Sequence, residues 1–269
     1  MVELHHWEPN GVFLKPLIAL NEKGVSFTSR YFDALAFEQY GAQFPRNVES
    51  QLHLEREGPV LVHNDEVITT SYFMLEYIAE TFPGPDLLAG DDDSSSPVER
   101  AYARYRSRAL GQILGLGVSA AISALGCSKY LSPLLRNRDQ AALREQLARI
   151  EPVERRGVWQ AALDGYTDAT LAAARERLKT PIARIETTLR ESEWLAGPSY
   201  SIADIDAFAT LAPLPDLAPD VVNETSTPNL MQFFQRVRKR PAVQASLALT
   251  RTGRPQDAFL PGPESSRWG

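Results

Sequence analysis

A serine at the start of a predicted helix is the residue in this sequence best placed to bind a charged ligand. Residues 69–78, TTSYFMLEYI, follow the apolar run GPVLV and a two-residue turn at Asn64-Asp65, an order that predicts strand, turn, strand and then a helix from Ser71. The first N–H groups of a helix lack intrahelical acceptors, and the helix dipole favours negative charge there. We therefore expect Ser71 to bind a carboxylate; the alternative is that Thr70-Ser71 serves only as a helix cap.

The segments upstream predict the scaffold that positions this serine. Residues 2–7 have the pattern of a strand, Leu14–Glu22 that of a helix ended by Lys23-Gly24, and residues 25–32 that of a second strand. A strand, helix, strand order requires a crossover and therefore a parallel pair, whereas the later hairpin adds antiparallel strands. The sequence predicts a thioredoxin-like α/β domain.

The composition changes after residue 82. Residues 83–97, PGPDLLAGDDDSSSP, have the proline, glycine, aspartate and serine content that is typical of a linker, and the apolar periodicity that follows is helical. The last stretch, RTGRPQDAFLPGPESSRWG, has no periodicity. We expect a thioredoxin-like domain at 1–84, a linker at 85–97, an all-helical domain at 98–249 and a flexible tail at 250–269.

Two further patterns in the second half are structural. Ser201 followed three residues later by Asp204 is a capping box, in which each side chain accepts a hydrogen bond from the other residue's backbone. The glycines of GQILGLGVSAAISALG (111–126) follow no predicted strand, so they indicate close helix packing rather than a nucleotide-binding loop.

The segments GPVLV, TTSYF and SIADIDAF together resemble the glutathione transferase superfamily. The resemblance implies a thioredoxin-like domain followed by a helical one, with glutathione as co-substrate and no metal. Pro59 matches the family's proline, and the backbone of Gly58 would pair with the cysteinyl part of glutathione as an added strand does; alternatively Pro59 merely begins a strand. Ser71 would bind the γ-glutamyl carboxylate. Thr70 stands where the family usually has an acidic residue or glutamine, so it lacks the charge that holds the ammonium group.

A narrower resemblance, to the bacterial β-etherase branch of that superfamily, rests on the segments LKPL at 14–17, NEKG at 21–24 and FEQ at 37–39, and on the inserted region at 153–166. Enzymes of that branch use glutathione to cleave β-aryl ether links in lignin-derived aromatics. There an asparagine and a serine precede LKPL and stabilise the glutathione thiolate. Here Val12 and Phe13 stand instead, and neither side chain donates a hydrogen bond. Asn10, or a backbone N–H freed by Gly11, is the possible substitute.

The resemblance implies a subunit of a glutathione-dependent β-etherase that acts on a hydrophobic aromatic ether. Phe13, Tyr102 and Tyr105 are the candidate residues of the substrate pocket, although the two tyrosines fit a packing role equally well. Two alternatives stay open: a catalytically impaired partner subunit that stabilises an active paralogue, and a general glutathione-conjugating transferase. The superfamily implies a homodimer or a heterodimer with a related transferase.

Composition excludes several other functions. Four histidines and a single cysteine, Cys127, give no metal-binding spacing and no disulfide or CxxC pair, so we expect a protein of the reducing cytoplasm. A net charge of −6 gives no basic surface for nucleic acid. We find no run of about 18 apolar residues, the length that spans a membrane, and therefore expect no membrane partner.

Overall fold

The amino-terminal part of the chain, up to Thr81, forms a four-stranded mixed sheet with helices packed against it. The computed structural model describes residues 1–45, 58–88, 96–150 and 153–262. In chain order the elements are β1 (Val2–His6), α1 (Leu14–Glu22), β2 (Thr28–Tyr31), β3 (Val60–His63), β4 (Glu66–Ile68) and α2 (Ser71–Thr81).

The sheet has the order β2-β1-β3-β4. β1 pairs parallel with β2, placing Leu4 opposite Ser29, and antiparallel with β3, placing Leu4 opposite Leu61. β3 and β4 form the predicted antiparallel hairpin, whose turn residues Asn64 and Asp65 both have positive φ. The α1 crossover between parallel strands and the hairpin that follows confirm the thioredoxin-like order.

The second half is helical. The chain is helical without a break from Pro97 to Arg136. Two segments within this stretch, Ile113–Val118 and Cys127–Leu131, are π-helical. The α-helices are α3 (Pro97–Gln112), α4 (Ser119–Gly126), α5 (Ser132–Arg136), α6 (Gln140–Ala148), α7 (Val153–Asp164), α8 (Asp168–Glu191), α9 (Ile202–Leu211), α10 (Leu214–Leu217), α11 (Pro228–Arg238) and α12 (Pro241–Leu247).

The predicted linker is only partly described. Its residues 89–95 lie outside the described residues, and α3 begins just beyond them with a capping box: Glu99 N donates to Ser96 Oγ (3.2 Å) and Ser96 N donates to Glu99 Oε2 (2.7 Å). Proline at the first helical position, Pro97, costs no hydrogen bond because that N–H would lack a partner in any case. The start of the long helix is thus set by local sequence.

One stretch is more apolar than the sequence analysis expected. An 18-residue window within Pro97–Arg136 reaches a mean hydropathy of 1.6, which by length and composition is enough to cross a membrane, and 39% of that window is buried inside the protein. A core helix of a globular protein meets the same criterion, and Leu114, Val118 and Leu125 of this stretch are fully or almost fully buried.

Close helix packing explains two of the glycines in this stretch. A Cβ atom on Gly111 would lie 2.4 Å from the ring of Tyr72 on α2, and one on Gly126 would lie 2.2 Å from the ring of Phe259. Both distances are far below van der Waals contact, so only glycine allows these neighbours to approach. The expectation of packing rather than nucleotide binding is confirmed at both positions.

The carboxyl-terminal segment corrects the expectation of a flexible tail at 250–269. Residues 263–269 lie outside the described residues, but residues 250–262, which we call the strap, pack back onto the body of the protein. Phe259 and Pro261 are buried, and the ring of Phe259 stacks on Tyr130 with centroids 5.8 Å apart. The aperiodic sequence reflects an extended path held by side-chain hydrogen bonds rather than disorder.

Candidate active site

A cleft between the sheet domain and the helical domain has a cavity volume of about 160 Å³. Three parts of the chain line it: the loop before α1 with the starts of β3 and α2, the inner faces of the helical domain, and the strap. The lining residues are Asn10, Gly11, Val12, Phe13, Lys15, Gly58, Pro59 and Ser71 from the first part; Ser119, Ile122, Ser123, Arg155, Thr210 and Pro213 from the second; and Ala258, Phe259, Leu260, Pro261 and Gly262 from the third.

Ser71 lies at the first residue of α2 and faces this cleft. Its hydroxyl has no hydrogen-bond partner among the described residues, and the first backbone bond of the helix is Met74 N to Thr70 O (3.0 Å). The N–H groups of the first turn before Met74 are therefore left as donors. A free hydroxyl, free N–H groups and the positive end of a helix dipole together form a site for a carboxylate.

Thr70, the residue before that helix, has a strained backbone. Its φ of 67° and ψ of 105° lie outside the regions that β-branched residues normally occupy, and its side chain makes no capping hydrogen bond. Strain of this kind persists only where the surrounding structure imposes it, and it is concentrated at functional sites. The Thr70 side chain therefore does not cap α2.

Gly58 and Pro59 border the cleft from the other side. Pro59 is buried and directly precedes β3, so the backbone before it faces the cavity at the same end of the sheet as Ser71. Proline is tolerated at the first residue of a strand because it has no N–H to pair. The structure thus brings together the two elements that the sequence analysis assigned to glutathione.

The loop before α1 contains Val12 and Phe13, at the positions where the resemblance to the β-etherase branch implies thiol-activating residues. Phe13 is only 3% exposed and packs edge-on between Trp7 (6.2 Å) and Phe32 (5.8 Å), so its main role is in an aromatic core beside the cleft. Val12 is 40% exposed and lines the cavity. Asn10, the substitute donor, also lines the cavity and is about nine-tenths buried.

Tyr102 and Tyr105 do not line the cleft, which corrects their assignment to the substrate pocket. They are 55% and 63% exposed on the outer face of α3, with ring centroids 5.9 Å apart, and the guanidinium of Arg106 lies 4.6 Å from the Tyr102 ring. Helical spacing placed them together correctly, but the sequence could not tell which face of the long helix turns to the first domain.

Several lining residues have no signature in the local sequence. Lys15 lies at the cleft and forms a buried ion pair with Asp206 on α9, with Nζ 2.6 Å from Oδ1. Arg155, on the first turn of α7, is buried at the cleft and donates to the carbonyls of Pro261 and Gly262. The sequence predicts only that Lys15 lies in the helix that begins with LKPL. Nothing local in the sequence indicates that α7 and the strap meet.

The histidines behave as structural residues where the structure describes them. His6 is fully buried; its Nε2 lies 2.7 Å from Ser29 Oγ and its Nδ1 lies 2.6 Å from Trp7 O, and burial lowers the pKa of His6. Within the described ranges no group of three or more histidine, cysteine, aspartate or glutamate side chains could hold a metal ion.

A thioredoxin-like domain and an all-helical domain with a cleft between them define the glutathione transferase fold. Residues 129–241 match the family described as Glutathione S-transferase, C-terminal domain. The chain therefore has the fold of the glutathione transferases, and its helical domain resembles theirs in sequence.

Among its relatives, the chain is 27% identical over 249 residues to the protein LigF of Sphingobium sp. strain SYK-6, an alignment that covers 90% of this chain and 91% of LigF. The crystal structure of the β-etherase LigF superposes with a TM-score of 0.81 at 24% identity, covering 92% and 98% of the two chains. A tetrachloro-p-hydroquinone reductive dehalogenase of Sphingobium chlorophenolicum is 24% identical over 262 residues, 91% and 95% of the chains. Glutathione transferase F7 of Populus trichocarpa superposes with a TM-score of 0.67 at 19% identity, covering 92% and 99%.

Replacing Ser71 tests the carboxylate site directly. We expect Ser71→Ala to weaken glutathione binding by about 1–2 kcal/mol, because one hydroxyl facing a carboxylate is lost while the backbone donors remain. Ser96→Ala is the matched control, since it removes the serine that caps α3, far from the cleft, and should leave glutathione affinity unchanged. Equal affinity of wild type and Ser71→Ala in calorimetric titration would contradict the site.

Proposed function

We propose that this protein is a glutathione-dependent transferase of the β-etherase type, which cleaves β-aryl ether bonds in lignin-derived aromatics within the cytoplasm. The observation that carries the proposal is the cleft itself. Gly58, Pro59 and Ser71 line it, with the backbone and the hydroxyl as polar groups, together with the apolar side chains of Ile122, Phe259 and other residues.

The residues around the cleft fit the two parts of such a reaction. The N–H groups and hydroxyl at the start of α2 suit the γ-glutamyl carboxylate, and the backbone before β3 suits the peptide portion of glutathione. The apolar side chains suit a flat aromatic ring, since aromatic surface binds by burial against apolar and aromatic side chains. The relationship to a named β-etherase over nine-tenths of the chain supports this choice of substrate class.

In the proposed reaction glutathione supplies a sulfur nucleophile to the carbon that bears the ether. The sulfur–carbon bond forms as the carbon–oxygen bond breaks, and the electron pair leaves with the aryl oxygen as a phenolate, which takes up a proton from water. The chain's own contribution is to orient the two substrates in one cavity and to hold the sulfur near a hydrogen-bond donor. Asn10 is the side chain we assign to that donor role.

A second candidate function is that of a catalytically impaired subunit that stabilises an active paralogue. Val12 and Phe13 favour it, because neither donates a hydrogen bond at the positions where the β-etherase branch has its activating pair. Thr70 favours it too, because a threonine offers no charge to the ammonium group of glutathione. A general conjugating transferase is the third possibility, since other glutathione transferases are also among the relatives.

We propose that the protein forms a homodimer or a heterodimer through the outer faces of α2 and α3. Phe73 on α2 is 58% exposed, Tyr102 and Tyr105 on α3 are exposed as well, and an ion pair between Glu76 and Arg108 (2.7 Å) joins the two helices. An exposed apolar surface of this kind marks a protein interface. We expect Phe73→Glu to convert a dimer to a monomer in size-exclusion chromatography, whereas a monomeric wild type would contradict the interface.

The proposed activity is tested with the chain purified alone, glutathione, and a β-aryl ether whose phenol is released as a chromophore. We expect phenol release to match the amount of glutathione thioether found by mass spectrometry. The same assay with an activated aryl halide in place of the ether tests for a general conjugating enzyme.

Three outcomes separate the candidates. Ether cleavage by the chain alone supports the proposal. Cleavage that requires co-expression with a related transferase supports the partner-subunit role, and conjugation of the aryl halide without ether cleavage supports the general transferase. The last two results each contradict the proposed activity of this chain.

A further inference from the structure

The strap is fixed to the sheet domain by one buried carboxylate. Glu8, at the end of β1, is fully buried and accepts hydrogen bonds from Arg251 N (2.9 Å), Thr252 N (3.1 Å), Thr252 Oγ1 (3.0 Å) and the hydroxyl of Thr250. Tyr31 Oη also donates to it (2.8 Å). Burial alone raises the pKa of Glu8, but these hydrogen bonds outweigh it and the net shift is downward. An ionised carboxylate with so many donors is a strong anchor.

The other end of the strap is fixed to the helical domain. Ser123 Oγ on α4 donates to Leu260 O (2.9 Å) and accepts from Gly262 N (2.5 Å), and Arg155 donates to the carbonyls of Pro261 and Gly262. Between the two ends, Phe259 lies against Gly126. The strap thus spans the cleft and is held on both sides of it.

Between these anchors the strap contacts the proposed sulfur donor. Asn10 Nδ2 donates to Ala258 O at 2.8 Å, and a carbonyl oxygen only accepts, so the nitrogen end of the carboxamide must face the strap. A carboxamide nitrogen carries two N–H donors. The second N–H of Asn10 has no acceptor among the described residues, and the side chain is about nine-tenths buried at the cavity wall.

We infer that the strap is a positioning device, in which the Ala258 carbonyl orients Asn10 so that its second N–H faces the sulfur site, and Glu8 is the positioning residue that holds the strap in place. The inference rests on the proposed function, because it concerns the same thiol. It also explains how a chain with Val12 and Phe13 retains a hydrogen-bond donor for the sulfur. Glu8 acts through the strap and does not touch the reacting atoms.

Two substitutions release the strap without changing Asn10. Glu8→Gln keeps the size of the side chain but removes the negative charge that strengthens the hydrogen bonds from the strap. Gly126→Ala places a Cβ 2.2 Å from the Phe259 ring, which must leave its site. Gly115→Ala on the same long helix is the control, because its Cβ would meet no atom within 4 Å.

The readout is the pH titration of the thiolate absorbance of bound glutathione. We expect the wild type and Gly115→Ala to show a thiol pKa below the free value of about 8.5. Glu8→Gln and Gly126→Ala should give the bound thiol an ionisation constant about tenfold smaller, with glutathione affinity changed less than about twofold, because no hydrogen bond among the described residues joins Gly58, Pro59 or Ser71 to the strap. A shift of one pKa unit corresponds to that tenfold change.

A truncated variant that ends at Leu249 lacks the strap altogether, so its thiol titration does not depend on how far a substitution releases the strap. Circular dichroism verifies that this variant folds. An unshifted thiol titration in this folded variant or in Gly126→Ala overturns the inference while leaving the proposed function intact. A wild type that binds no glutathione contradicts the proposed function instead.

Discussion

Asp204→Ala is expected to destabilise the protein by about 3–5 kcal/mol. The Asp204 carboxyl group is fully buried at the first turn of α9 and accepts hydrogen bonds from Leu195 N (2.9 Å), Ser201 N (2.9 Å) and Ser201 Oγ (3.1 Å). Alanine leaves two buried backbone N–H groups without acceptors, and each costs about 1–3 kcal/mol. Chemical denaturation measures the loss. Glu99→Ala, which breaks the exposed capping box of α3, is the matched control and should cost about 1 kcal/mol or less.

The same carboxyl group predicts a pH dependence. Burial raises the pKa of Asp204 from its ordinary value of 3.8 to about 7, against the opposing effect of the hydrogen bonds from Leu195 and Ser201. Between about pH 4 and pH 7 the unfolded chain has released this proton and the folded chain still holds it, so the group's contribution to stability falls as the pH rises. The advantage of wild type over Asp204→Asn should shrink by up to about 4 kcal/mol across that range. A constant difference would show that Asp204 is ionised throughout.

We expect Lys15→Met to lower the free energy of unfolding by about 3–5 kcal/mol, because it leaves the Asp206 carboxylate buried without its cation. The Lys15 and Asp206 side chains are 7% and 2% exposed, and their ion pair joins α1 of the sheet domain to α9 of the helical domain. Removing one partner of such a pair is far more costly than removing both.

The double variant Lys15→Met with Asp206→Leu provides the control. It should recover most of the lost stability, since two apolar side chains of similar size fill the same space without a buried charge. A double variant as unstable as the sum of the two single variants would show that the ion pair carries no coupling energy.

Much of the fold followed from local sequence. Gly24, with φ of 66°, ends α1 where a cationic residue followed by glycine predicted the helix end, and Asn64-Asp65 makes the predicted turn. Ser201 and Asp204 form the predicted capping box. These features depend on residues close together in the chain, and hydrogen bonds within a few residues determine them.

The site was predictable on its polar side only. Ser71, Gly58 and Pro59 meet at one end of the sheet because strand order fixes them, and strand order follows from the crossover and the hairpin. Tyr102 and Tyr105 do not line the cleft because they lie on the exposed side of α3, whose buried residues are Ala103 and Ser107. The helix alone does not show which face meets the first domain.

The strap could not have been predicted from the sequence. Glu8 and Thr252 are separated by 244 residues, and neither neighbourhood has a periodic pattern that indicates a partner. Its anchors are hydrogen bonds between groups far apart in the chain, which leave no signature in composition. A proline-rich end therefore resembled a flexible tail.

Calorimetric titration of the purified chain with glutathione, compared with cysteinylglycine, tests the central claim most directly. The claim is that the start of α2 recognises the γ-glutamyl carboxylate while the backbone before β3 holds the peptide. It predicts saturable binding of one glutathione per chain and binding of cysteinylglycine at least about tenfold weaker, the ratio that corresponds to 1.4 kcal/mol. Equal affinities for the two peptides, or no saturable heat with glutathione, would contradict it.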